Sequence, residues 1–142
     1  MMNDTHPALS PTEMYLERCR ELVDIVAAQK AAIEQAAEWF AASILAGRMV
    51  HLFGSGHSRI MVEEMWPRYG SFPGFHPIVE LSLTFHTSVV GSNGQRQAMF
   101  LENVSGLASR ILRNFDVSPP DSALVISSSG CNTPVEVSAW TI

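Results

Sequence analysis

Apolar residues recur at spacings of three and four along the first third of the chain: Tyr15, Cys19, Leu22 and Val26, then Ile33, Ala37, Phe40 and Ile44. That period places them along one side of a helix. The run "SPTE" supplies a start signal: Ser10 can cap, Pro11 suits the first helical turn and Glu13 can reach back to the cap. Gly47 supplies a stop. The pattern predicts one long N-terminal helix, or a helix pair broken near Gln29, reaching Ala46, with residues 1–11 a disordered N-terminus and 12–142 the folded domain.

Beyond Gly47 the pattern changes. "MVHLF", Met49 to Phe53, is a short continuous apolar run of strand type, and a helix is predicted from Ser58 to about Tyr69, kinked or ended by Pro67. "IVEL" is the next strand candidate, after a connector rich in Gly and Pro. Residues 82–99 read either as a strand with a loop or as one long loop. "ENVSGLASRILRNFD" reads as a helix, "ALVIS" as a strand, and Thr133 as a further helix start. Helices and strands thus alternate, which predicts an α/β fold: a parallel sheet covered on both faces, in three α-β-α layers. Continuous apolar strands fit a sheet buried on both sides.

Two of these strands run into unusual loops, "FGSGHS" and "ISSSGCNT". Both set small hydroxylated residues just before a helix, beyond the carboxyl ends of strands, where ligands of such sheets bind. Gly54, Gly56 and Gly130 let backbone approach a ligand closely. Ser55, Ser58, Ser127, Ser128, Ser129 and Thr133 add hydroxyl donors to the free N–H groups of the helix starts. The combination forms an uncharged cradle that suits a phosphate monoester. Serine-rich loops also serve simply as caps and turns, but two of them in a parallel pattern favour phosphate. No lysine follows the glycines, so this is not a P-loop, and "GSGHSR" lacks the third glycine of a dinucleotide fingerprint.

Composition narrows the ligand class. Of 142 residues, 46% are apolar and 16% charged, which describes a globular domain. The net charge of −5 argues against nucleic acid or an anionic membrane as partner. Asp24, Lys30, Glu34 and Glu38 interrupt the longest apolar stretches, so no membrane span is expected. Cys19 and Cys131 make no disulfide framework, and a reducing, cytoplasmic location is the simpler reading.

At the two loops the chain resembles the sugar isomerase (SIS) domain superfamily, whose phosphate loop is a strand ending in Ser-x-Ser-Gly; here it reads "SSSGCN". The similarity runs from Thr12 to Trp140 and is loose over 82–99. It is nearest to an uncharacterised phosphosugar-isomerase-like branch related to phosphoheptose isomerases. The resemblance implies a flavodoxin-like parallel sheet between helices, with phosphate contacts from Ser127, Ser129 and Asn132. Ser128 would line the loop, Ser58 would contact phosphate from the first loop, and Ser55 and His57 would face the sugar. About two strands of the family fold have no counterpart before Ile142, so the expectation is a chain incomplete at its C-terminal end.

Aldose–ketose isomerisation needs a base beside a carbonyl and an acid for the oxygens. Glu63 and Glu64 follow the first loop by about two turns, with Glu64 the preferred base. His57, in the first loop, is the second catalytic candidate, as acid or base. A Glu-Glu pair on a helix is more often a solvated face, and a loop histidine often only bonds backbone. His51, inside a strand, reads as a satisfied core residue; His76 and His86 fall in unassigned segments. The histidines show no zinc spacing, Cys131 reads as loop filler, and no cofactor or metal is expected. Two functions follow: a sugar-phosphate isomerase working through an enediol-like intermediate, or a non-catalytic phosphosugar sensor. Either is expected to be a homo-oligomer, dimer or tetramer.

Overall fold

The computed structural model describes residues 9–66, 68–84, 88, 91, 94–133 and 136–137. Two compact units divide the chain, with the boundary between Glu38 and Trp39. In the first, α1 spans Pro11–Ala27 and opens on the expected capping box. The Ser10 N–H donates to Glu13 Oε2 at 2.8 Å, and the Glu13 N–H donates back to Ser10 Oγ at 3.3 Å. Of the two N-terminal alternatives the helix pair is the one that forms. The Gln29 N–H bonds Val26 O three residues back, which tightens the last turn and ends α1, and α2 begins at Lys30 and runs to Leu45.

The second unit holds a three-stranded parallel sheet in the order β2-β1-β3. β1 is Val50–Gly54, β2 is Phe75–Pro77 and β3 is Ser122–Ile126. Every residue of β1 is buried, as its unbroken apolar run requires of a central strand. Its side chains alternate between two cores. Phe53 packs with Ile78, Leu83, Ala108, Ile111 and Val137 on one face. Val50 and Leu52 pack with Val62, Phe40, Ile44 and Phe75 on the other. Both faces are covered, so the three-layer α/β architecture read from the sequence is the one observed. At the amino ends of the strands Arg48 makes a bidentate pair with Asp121, at 2.9 and 3.0 Å, tying the entry of β1 to that of β3.

Several boundaries differ from expectation. The helix after the first loop is a 3₁₀ turn, Gly56–Ser58, followed by α3, Arg59–Met65. Trp66 leaves the helix in extended conformation, as the residue before a proline must; Pro67 itself lies outside the described residues. The second strand is Phe75–Pro77 rather than "IVEL". Ile78 still donates its N–H to Leu52 O at 2.7 Å. Glu80 then turns the chain, its carboxylate accepting from the Leu83 N–H at 2.9 Å at the start of α4, Leu81–Thr84. Within 82–99, residues 82–84 lie in α4 and 94–99 in α5, Gly94–Leu101, while Gly91 between them is not helical. The helix expected over 102–116 is shorter: α6 covers Leu107–Leu112, because Gly106 takes a left-handed φ of +82° just before it. Residues 1–8 and His86 lie outside the described residues.

Candidate functional site

β1 and β3 are parallel neighbours with Gly54 opposite Ile126, so the two serine loops leave the same edge of the sheet side by side. Gly54 fixes how the first loop starts. A methyl group there would lie 2.9 Å from the carbonyl carbon and oxygen of Ser58, so only glycine lets the loop fold back on the strand end. The Ser58 N–H closes the turn onto Ser55 O at 3.0 Å. In the second loop the Gly130 N–H donates to Ser127 Oγ at 3.0 Å, and the Cys131 thiol donates to Ser129 Oγ at 3.0 Å. Gly130 and Asn132 both take left-handed backbone, φ +65° and +66°.

Between the loops lies a cavity of about 640 Å³. Ser55, Gly56, His57 and Ser58 line it from the first loop, and Ser127, Ser128, Ser129 and Asn132 from the second. Gly54, Gly130 and Thr133 frame the loops without lining this cavity. The structure therefore brings together most of the residues singled out as ligand contacts. Glu64 is not among them: it stands exposed on α3 and pairs with Arg68 one turn on, and its neighbour Glu63 pairs with Arg59 at 3.0 Å. A carboxylate one turn before an arginine finds that partner at once, which removes it from the cavity.

The donor set of the second loop is open. Ser127 and Ser129 hydroxyls already accept from their own loop, which leaves each hydroxyl proton free to donate outward. Among the described residues, the backbone N–H groups of Ser128 and Ser129 meet no acceptor. Such a row of amides and hydroxyls can surround an anion's oxygens without a cation. His57 is exposed on the cavity wall.

Sequence reasoning missed five parts of the wall, Arg59, the apolar Ile60, Ala98 and Met99, and Glu102, and it read Cys131, which also lines the cavity, as loop filler. Glu102 enters from the turn after α5, and its backbone carbonyl accepts from both the N–H and the hydroxyl of Thr133, at 3.1 and 3.0 Å. Nothing local marks it, because Thr133 is 31 residues away. His51 is buried as expected but not fully satisfied: Nδ1 lies 3.2 Å from His76 Nδ1, whereas buried Nε2, 3.3 Å from Asp121 Oδ2, makes no hydrogen bond among the described residues. The Arg48 guanidinium holds the Asp121 carboxyl well below the usual carboxylate range, and burial lowers His76. This group lies at the amino ends of the strands, away from the serine loops.

A family model described as the SIS domain matches residues 14–139. The chain belongs to the SIS domain family. Its three-layer parallel fold, with paired loops at the carboxyl edge of the sheet, is thus an SIS-type fold. Among curated proteins, this SIS domain is 34% identical over 128 residues to UPF0309 protein BH0227 of Halalkalibacterium halodurans, covering 89% of this chain and 49% of that protein. It is 32% identical over 125 residues to UPF0309 protein GK1441 of Geobacillus kaustophilus, covering 87% and 47%. UPF0309 protein BOV_A0853 of Brucella ovis is 32% identical over 126 residues, covering 88% and 48%. The SIS domain chain spans about half the length of the curated relatives it matches. Among the described residues, no helix is long and apolar enough to cross a membrane, and no cluster of ligating side chains could hold a metal ion.

Proposed function

We propose that this SIS domain binds a sugar phosphate in the cavity between the serine loops and interconverts its aldose and ketose forms through an enediol-like intermediate. The observation that carries the reading is the second loop: two hydroxyls held by their own loop, beside two backbone amides that meet no acceptor among the described residues. That arrangement has donors to spare and no acceptor to match, which is the complement of a phosphate. Ser127, Ser129 and Asn132 take the phosphate with Ser58, Ser128 lines the loop, and Ser55 and His57 face the sugar. Gly54, Gly56, Gly130 and Thr133 hold the two loops in place. His57 exchanges protons with the sugar oxygens. Glu64 has no part in the step, since its carboxylate is turned to solvent and paired.

Ligand at a hundred times its dissociation constant stabilises a fold by about 2.7 kcal/mol. A thermal-shift panel of aldose and ketose phosphates is expected to raise the melting temperature of the wild type. Ser129→Ala is expected to weaken that response about tenfold in ligand concentration, the loss of one hydrogen bond to a charged group. No phosphate-dependent shift in the wild type contradicts the reading. Binding with no exchange of solvent deuterium into any sugar phosphate would make the protein a sensor rather than an enzyme.

Two further features belong to the same proposal. The protein works in a reducing compartment such as the cytoplasm, where its free Cys19 and Cys131 remain thiols. It assembles as a homo-oligomer, because α1 buries none of its own residues and leaves Leu22, Val23, Ile25 and Val26 exposed. A monomeric mass by light scattering at micromolar concentration contradicts the assembly.

A further inference from the structure

Glu102 supplies the one carboxylate on the cavity wall among the described residues; Arg59, which pairs with Glu63, lines the same cavity, but no hydrogen bond or ion pair to a described residue engages the Glu102 carboxylate. Its side chain lies over the first loop: a methyl group on Gly56 would sit 3.5 Å from Oε1. Its backbone is held from the second loop. Thr133, only 1% exposed, gives both its donors to the Glu102 carbonyl. Near Thr133 in the chain, Glu136 accepts from the N–H groups of Gly106, at 3.1 Å, and Ala108, at 3.4 Å. The segment leaving the serine loop is therefore stitched to residues 102–108 at two levels.

A half-buried carboxylate in a cavity of anion donors does not help to bind an anion, and among the described residues it makes no ion pair that would explain it structurally. It suits a ligand whose other end offers a proton. We infer that Glu102 is the group that moves the carbon-bound proton, and that Thr133 is a positioning residue that sets it at a fixed distance from the phosphate loop; this rests on the isomerase reading above. The Glu102 carboxylate takes the proton from C2 of an aldose phosphate. The C2–H bond breaks, an O–H bond forms on the carboxyl group, and the electron pair becomes the C1–C2 double bond while C1=O opens and O1 gains a proton. On collapse O2 loses its proton, C2=O forms, and the carboxyl group returns its proton to C1. One hydrogen has moved from C2 to C1 and one proton from O2 to O1, with no redox partner. Thr133 matters because the loop that grips the phosphate and the residue that meets the carbons then share one frame.

The test is solvent-deuterium exchange into a panel of aldose and ketose phosphates, with the thermal shift induced by inorganic phosphate measured on every variant. Glu102→Gln is expected to lose about 100-fold or more in exchange while keeping the phosphate shift. Glu102→Asp, which keeps the charge but retracts it, is expected to fall between the two. Thr133→Val is expected to lower kcat about tenfold with KM within about twofold, and Thr133→Ser to restore it. Wild-type exchange in Glu102→Gln overturns the assignment of the base. Equal rates in the Val and Ser variants at 133 overturn the positioning role. A wild type that shifts with phosphate but exchanges nothing overturns the isomerase reading and this inference together, while the phosphate site stands.

Discussion

At the scale of single residues, much of the site depends on one missing side chain. Gly54→Ala drives a methyl group into the Ser58 backbone, which no rotamer change can relieve. The variant is expected to lose about 1–3 kcal/mol in urea unfolding and most of its phosphate-induced thermal shift. The buried group at the other end of β1 makes a second prediction. Burial, helped by neighbouring His51, favours neutral His76, so the unfolded chain takes a proton there at higher pH than the folded one. Its contribution is whole above about pH 6.5 and falls as pH drops through that value. Asp121 is lowered by Arg48, so its contribution is whole above the ordinary carboxylate range and is lost only as pH falls below about 4. Melting temperature against pH should therefore fall in two steps on acidification. His76→Gln should flatten the first and Asp121→Asn the second; a single step that neither variant alters would contradict this assignment.

At the scale of elements, β1 carries both cores, because Leu52 and Phe53 are each almost fully buried on opposite faces. Leu52→Ala is expected to cost about 2–5 kcal/mol by denaturant unfolding, against less than 0.5 kcal/mol for Leu45→Ala, which is 87% exposed. The same elements show what a sequence reveals. The capping box at Ser10 and Glu13, the run "MVHLF" and the two serine loops were legible because each is written in adjacent residues. The start of β2 was not. "IVEL" looks as apolar as "FHP" does not, yet the ladder with β1 selects Phe75–Pro77, and Glu80 spends its carboxylate on the next helix. Glu102 was hidden for a related reason. Its place in the cavity depends on a carbonyl held by Thr133 from another segment, and no spacing rule spans that distance. Glu64 was attractive because it lies near the first loop in sequence, but Arg68, one turn on, claims it.

At the scale of the whole molecule, the parallel order β2-β1-β3 is what turns two separate turns into one site. Parallel strands end at the same edge, and the adjacency of β1 and β3 sets "FGSGHS" beside "ISSSGCNT". A net charge of −5 means that no general basic field draws an anion in, so binding must come from local donors and should depend only weakly on salt. The most direct measurement is a titration with sugar phosphates followed by backbone amide chemical shifts. The account predicts that the amides of Ser128 and Ser129 move most, with those of residues 55–58 next, and that the same sugars without phosphate leave Ser128 and Ser129 unmoved. Shifts centred elsewhere, or equal shifts with and without the phosphate group, would contradict it.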